Sequence, residues 1–151
     1  MTDSENKAHR AIRTHLTALL LTLALFYLHA HVLFDIAGFL VRSKDWLVEE
    51  LGPHRTGKMV ILGCFITLFA LHVAEAALWA LFLRWRQIFA SAADGFYFAA
   101  VTITTLGYGD MVLPPPFRQL GPLIAISGVL MFGCSTAFLF LLMQQVWLLQ
   151  L

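Results

Sequence analysis

The stretch TITTLGYGD, residues 102–110, sets three threonines, two glycines and a tyrosine between long apolar runs. It makes a poor helix and a poor strand, because glycine loses backbone freedom in either. The segment leading into it, SAADGFYFAAVTITT (residues 91–105), reads as a helix of about three turns, with Ser91 and Asp94 in the Ser-x-x-Asp spacing of an N-terminal cap. Three turns cannot cross a bilayer, which takes ~20 residues. A helix that enters a membrane and stops must be followed by irregular backbone, tolerated only where protein covers it or water fills it. Gly107 and Gly109 take positive φ at little cost, so left- and right-handed residues can alternate and turn successive carbonyls to one side. The product is a column of oxygens. Four such columns around an axis would replace the water shell of a cation, with the Thr105 hydroxyl adding an oxygen at the inner end. The C-terminal end of the short helix, near Thr104, would aim its partial negative charge at the ion path.

Composition supplies the membrane. With 151 residues, 60% hydrophobic and 13% charged, and a mean hydropathy of +0.78, the chain is too apolar for a soluble domain of its size. A net charge of +1 gives no basic field for nucleic acid, and there is no zinc-finger spacing, Walker loop or dinucleotide fingerprint. No nucleic-acid partner and no cofactor are expected. Cys64 and Cys134 sit inside apolar runs and read as small buried residues rather than a disulfide framework.

Three segments are long enough to span: residues 16–41, 59–83 and 120–149. Between the first two, RSKDWLVEELGPHRTGK (residues 42–58) reads as a charged connector broken by Gly52 and Pro53, with DWLVEEL as a short interfacial helix. The expected fold is an all-α integral membrane protein: three transmembrane helices, a re-entrant pore helix and a filter loop. The last helix reaches the end of the chain without a charge, so any gate is expected within the membrane part.

The run TTLGYGD resembles the selectivity-filter signature of tetrameric potassium channels, position by position through Thr105, Leu106, Gly107, Tyr108 and Gly109, with Leu106 where valine or isoleucine is usual. The order helix, re-entrant helix, filter, helix fits as well. The chain resembles the short prokaryotic channels with a minimal pore module, preceded by an extra N-terminal helix. The resemblance implies residues 1–58 as tail, extra helix and connector, and residues 59–151 as pore module, with outer helix 59–83, pore helix and filter 91–110 and inner helix 120–149. It implies K+ held by the filter carbonyls as the permeant ion, and a multi-pass location in a prokaryotic plasma membrane. One filter segment per chain requires a fourfold homotetramer. By the same resemblance Tyr97 and Phe98 align with an aromatic cuff around the filter, and Asp110 ends the filter at the outer mouth. Related channels often brace that aspartate with a carboxylate at the position held here by Val101, so the brace must differ or be absent. Gly128, with Gly133, falls near the inner-helix hinge, and Thr136 and Phe140 near the cavity wall. Glycines in membrane helices also serve close packing, which is the alternative for both.

Polar residues in the apolar helices raise a separate question. His72 and Glu75 share a face of the second helix, and an acid at that depth costs ~2.5–3.5 kcal/mol on insertion scales, so it should face protein or water. The expectation is a polar brace to pore-helix groups such as Tyr97, Thr102 or Thr104; proton sensing and a metal site are the alternatives, although two ligands per chain are too few for zinc. His31 and Asp35 form another one-face pair on the first helix, expected against the second, while His29 points elsewhere.

Family geometry puts the connector inside and the N-terminus outside. The charges run the other way, with Arg42, Lys44, Arg55 and Lys58 on the connector against Lys7, Arg10, Arg13, Arg84, Arg86 and Arg118 on the opposite side. Helix one also reads as a signal peptide with a cut after Ala30. The filter geometry is the stronger constraint. The expected function is passive potassium conduction without catalysis; the competing class is a non-conducting or weakly selective sensor or accessory subunit working through His72 and Glu75.

Overall fold

The computed structural model describes residues 3–150, and among them the structure is all-helical: α1 (Asp3–Leu51), α2 (Pro53–Trp85), α3 (Ala92–Ile103) and α4 (Leu120–Gln150). The helices α1, α2 and α4 are each long and apolar enough to cross a membrane. α3, at 12 residues, is not.

The segment read as a charged connector is helical almost throughout. α1 runs 49 residues to Leu51 and α2 begins at Pro53, so the break is Gly52 alone, at φ +78°. Its amide donates to the Val48 carbonyl at 2.9 Å, and the Thr56 amide donates to the Gly52 carbonyl at 3.0 Å. Glycine just past one helix and proline opening the next is the asymmetry that the backbone favours. The Thr56 hydroxyl then reaches across the corner to the Leu47 carbonyl at 2.8 Å. DWLVEEL is therefore the last stretch of α1, and the outer helix starts six residues before its expected boundary at 59.

The contacts gather into two compact units. The first takes the chain through Phe26 together with Val73–Leu130, and so holds α3 and the loop after it. Its core follows the helical period: Ala11, Thr14, Ala18 and Leu25 from α1, Ala76, Trp79, Ala80 and Leu83 from α2, and Gly95, Phe98, Ala99 and Ile103 from α3. α2 ends in a Schellman turn, with Ile88 N–H on the Leu83 carbonyl and Gln87 N–H on the Arg84 carbonyl, both at 2.9 Å, and Gln87 at φ +57° where glycine is usual. Arg10 Nη2 donates to the Arg86 carbonyl at 2.8 Å. The start of α1 thus lies beside the end of α2 from which α3 departs.

The second unit takes Tyr27–His72 and the chain from Met131 onward. Its buried apolar residues include Cys64, Leu68 and Met131, and Thr56, His29 and Ser135 are buried polar residues of the same unit. Both cysteines are free, Cys64 buried and Cys134 half-buried. His31 and Asp35, expected against α2, instead pair with each other at 2.9 Å, one turn apart, with 57% and 70% of their side chains exposed. It is His29 that faces inward.

Candidate ion-conduction site

The site is built from the N-terminus of α3 upward. Ser91 is the cap in extended backbone, its hydroxyl accepting from the Ala93 amide at 3.1 Å, and Asp94 sits in the first turn where the helix dipole favours an anion. Gly95 lets α3 press onto α2: a Cβ there would stand 3.1 Å from the Ala80 carbonyl oxygen. At the other end, Thr104 caps α3 by donating its hydroxyl to the Ala100 carbonyl at 2.6 Å. The Gly107 amide turns back to the Val101 carbonyl at 3.2 Å, which ties the loop to the helix that precedes it.

Positive φ then falls on every second residue: Thr105 at +60°, Gly107 at +51° and Gly109 at +78°. The two glycines adopt this region freely, whereas Thr105 does so against the preference of an L-residue, by roughly 1–2 kcal/mol. All of Thr105, Leu106, Gly107, Tyr108, Gly109 and Asp110 are exposed in the single chain.

Asp110 has a brace after all. Tyr97, on α3, donates its hydroxyl to Asp110 Oδ2 at 2.7 Å, supplying from one turn earlier what Val101 cannot. The hydrogen bond to Asp110, then partial burial, then the charges of Asp110 and Tyr108, hold the Tyr97 phenol above its ordinary value. A raised phenol keeps its proton in the folded state, so the brace is complete below the ordinary phenol pKa of about 10 and is lost as pH rises through the raised one. Tyr97→Phe is expected to shorten conducting episodes a few-fold at neutral pH and leave ion preference intact, as single-channel recording would show. Phe98 is buried and meets Phe89 with ring centroids 5.4 Å apart.

On α4, Gly128 makes a very close approach. A Cβ at that position would stand 2.6, 2.7 and 2.8 Å from Cβ, O and Cα of Ile103, the last residue of α3. Gly128 is therefore a packing position at the base of the loop. Gly133 meets no such contact; it shares an exposed α4 face with Thr136 and Phe140.

Glu75 is fully buried on α2, away from the surface that would meet lipid. Two of the partners expected for it are engaged elsewhere, Tyr97 with Asp110 and Thr104 with Ala100. His72 stacks on Phe132 with centroids 4.1 Å apart and places Nε2 3.1 Å from Ser135 Oγ. His29 Nε2 reaches the same oxygen at 3.1 Å. Neither His29 nor Ser135 was singled out from sequence as a partner of His72, since they lie far apart along the chain in otherwise apolar runs.

A family model described as "Ion channel" matches residues 59–145, more than half of the chain. The chain belongs to the ion-channel family. Two curated relatives, the mouse and human proteins named potassium voltage-gated channel subfamily A member 10, are each 54% identical over 43 residues, which is 28% of this chain and 8% of theirs. The channel thus matches only a small part of those relatives' length. No solved structure matches it. The matched region runs from α2 through most of α4 and leaves α1 outside.

Proposed function

We propose that this channel conducts potassium selectively and passively as a fourfold homotetramer in a plasma membrane, with K+ held by the backbone oxygens of Thr105, Leu106, Gly107, Tyr108 and Gly109. The observation that carries this reading is positive φ at alternate residues of an exposed loop behind a capped, non-spanning helix. Such alternation turns carbonyls that an ordinary strand would point in opposite directions toward one side. The relatives' names, potassium channel subunits both, agree with it.

The tetramer is argued from what the single chain leaves open. Leu106 and Tyr108 are 57% and 67% exposed, although both are large and apolar in body. A cleft of about 380 Å³ bordered by Phe98, Thr102, Gly107 and Gly109 opens beside the same loop. Neighbouring copies around a fourfold axis would cover the first and fill the second. Asp110, held by Tyr97, is assigned to the outer mouth, where four carboxylates concentrate cations. The α4 face of Gly133, Thr136 and Phe140 is assigned to the inner part of the path. His72 and Glu75 are assigned to bracing rather than to ion contact.

Native mass spectrometry combined with liposome flux tests the assembly and the activity together. The expected result is a four-chain species whose liposomes release potassium and retain sodium. A four-chain species that moves neither ion would favour the accessory-subunit reading.

A further inference from the structure

An open cleft of about 600 Å³ lies in the first unit, lined by Asn6, His9, Arg10 and Arg13 from α1 and by Trp85 and Arg86 at the end of α2. It belongs to no part of the conduction path. The two inner arginines are held in place by each other's backbone: Arg10 Nη2 donates to the Arg86 carbonyl at 2.8 Å, and Arg86 Nη2 to the Arg10 carbonyl at 3.3 Å. Arg86 also donates Nε–H to the Thr14 hydroxyl at 2.9 Å, and Thr14, fully buried, donates its hydroxyl to the Arg10 carbonyl at 2.8 Å. The Arg86 guanidinium lies 5.2 Å from the centre of the Trp85 ring. These acceptors are neutral, so they orient the guanidiniums without offsetting their charge.

From this geometry we infer that Arg10, Arg13 and Arg86 form a binding site for a phosphate group, that of an anionic phospholipid at the membrane surface. Guanidinium forks match phosphate oxygens bidentately, and the two that are fixed in advance lose little freedom on binding. Partial burial, then the neighbouring Arg10 and Arg13, hold the Arg86 guanidinium below its ordinary value; a bound anion would offset the repulsion from the two neighbours. The lipid source follows from the surroundings. Trp85 is exposed at the end of a spanning helix, the usual level of interfacial aromatics. Below the cleft, exposed Leu16 and Leu20 continue the face of Arg13, and exposed Leu81 lies one turn below Trp85. Acyl chains would run along these apolar lanes. The site joins α1, outside the matched family region, to Arg86, five residues before the Ser91 cap. A bound phosphate would therefore clamp the extra helix to the support of α3.

The test is the thermal stability of the full chain in phosphatidylcholine mixed micelles, with phosphatidylglycerol or inorganic phosphate added. Arg13 serves as the discriminating position because its side chain supports none of the bonds that hold Arg10, Arg86 and Thr14 together. Arg13→Gln should match wild type without added anion and need ~10-fold more phosphatidylglycerol for the same stabilisation, the loss of one charge-assisted contact. Arg86→Gln should lose the response altogether. Stabilisation by phosphatidylglycerol but not by inorganic phosphate supports the lipid; equal stabilisation by inorganic phosphate, lost in the same variants, keeps the phosphate site and overturns the lipid as its source. An equal response to phosphatidylglycerol in wild type, Arg13→Gln and Arg86→Gln overturns the site.

Discussion

Gly128→Ala should abolish conduction and lower the melting temperature of the assembled channel, because the new methyl would overlap the Cβ, O and Cα of Ile103 at 2.6–2.8 Å. Overpacking of a tight contact costs ~1–3 kcal/mol per site, and a tetramer would meet it four times. The displaced atoms are mainly backbone, so neither side chain can swing away. They also lie at the end of α3, immediately before Thr104 and Thr105, so the strain would be delivered to the loop that follows. A pure hinge role predicts something different: altered open probability with stability and ion preference unchanged. A second substitution separates the two. Ile103→Ala leaves Cα, Cβ and O where they are and should not rescue Gly128→Ala; recovery of conduction in the double variant would show that the contact is not the constraint.

The second large effect is expected at Gly107. Here space is not the issue, since the nearest atom to an added Cβ is the Thr105 carbonyl oxygen at 4.0 Å. The cost is conformational: at φ +51° an L-residue loses roughly 1–2 kcal/mol, and the proposed tetramer would meet it in each chain. Gly107→Ala should therefore assemble as well as wild type and lose potassium preference or conduction. Chromatography would report the assembly and ion flux the loss. Full selectivity in this variant would mean that the left-handed conformation at position 107 is not needed in the conducting state.

What could be read from the chain in advance was what local chemistry controls. The Ser91 cap, the three-turn length of α3 and the demand for positive φ at Gly107 and Gly109 each rest on residues within a few positions of one another. The long helices were legible from apolar length alone. In residues 42–58 the break at Gly52 and Pro53 and the helical DWLVEEL are legible; the continuity of that helix with α1 is not, because charges report contact with water and not the end of a helix. The sequence of Thr105 points to its hydroxyl and not to its positive φ, because threonine gives no sign of tolerating that region. The remaining features depend on partners remote in sequence. Ile103 decides that Gly128 is a packing position, Ser135 joins His29 to His72, and Arg10 meets Arg86 across 76 residues. No spacing rule connects such pairs. Asp110 illustrates the boundary: the missing carboxylate at Val101 was plain from sequence, while the substitute, Tyr97, required the fold of the loop.

If the loop from Thr105 to Gly109 selects potassium, as proposed, the channel's current must distinguish potassium from sodium. The most direct measurement is the reversal potential of the purified wild-type channel in a planar bilayer, with potassium on one side and sodium on the other. A reversal displaced far toward the potassium equilibrium potential, and lost in Gly107→Ala, is the predicted result. A wild-type current that reverses near zero under the same gradient would contradict it.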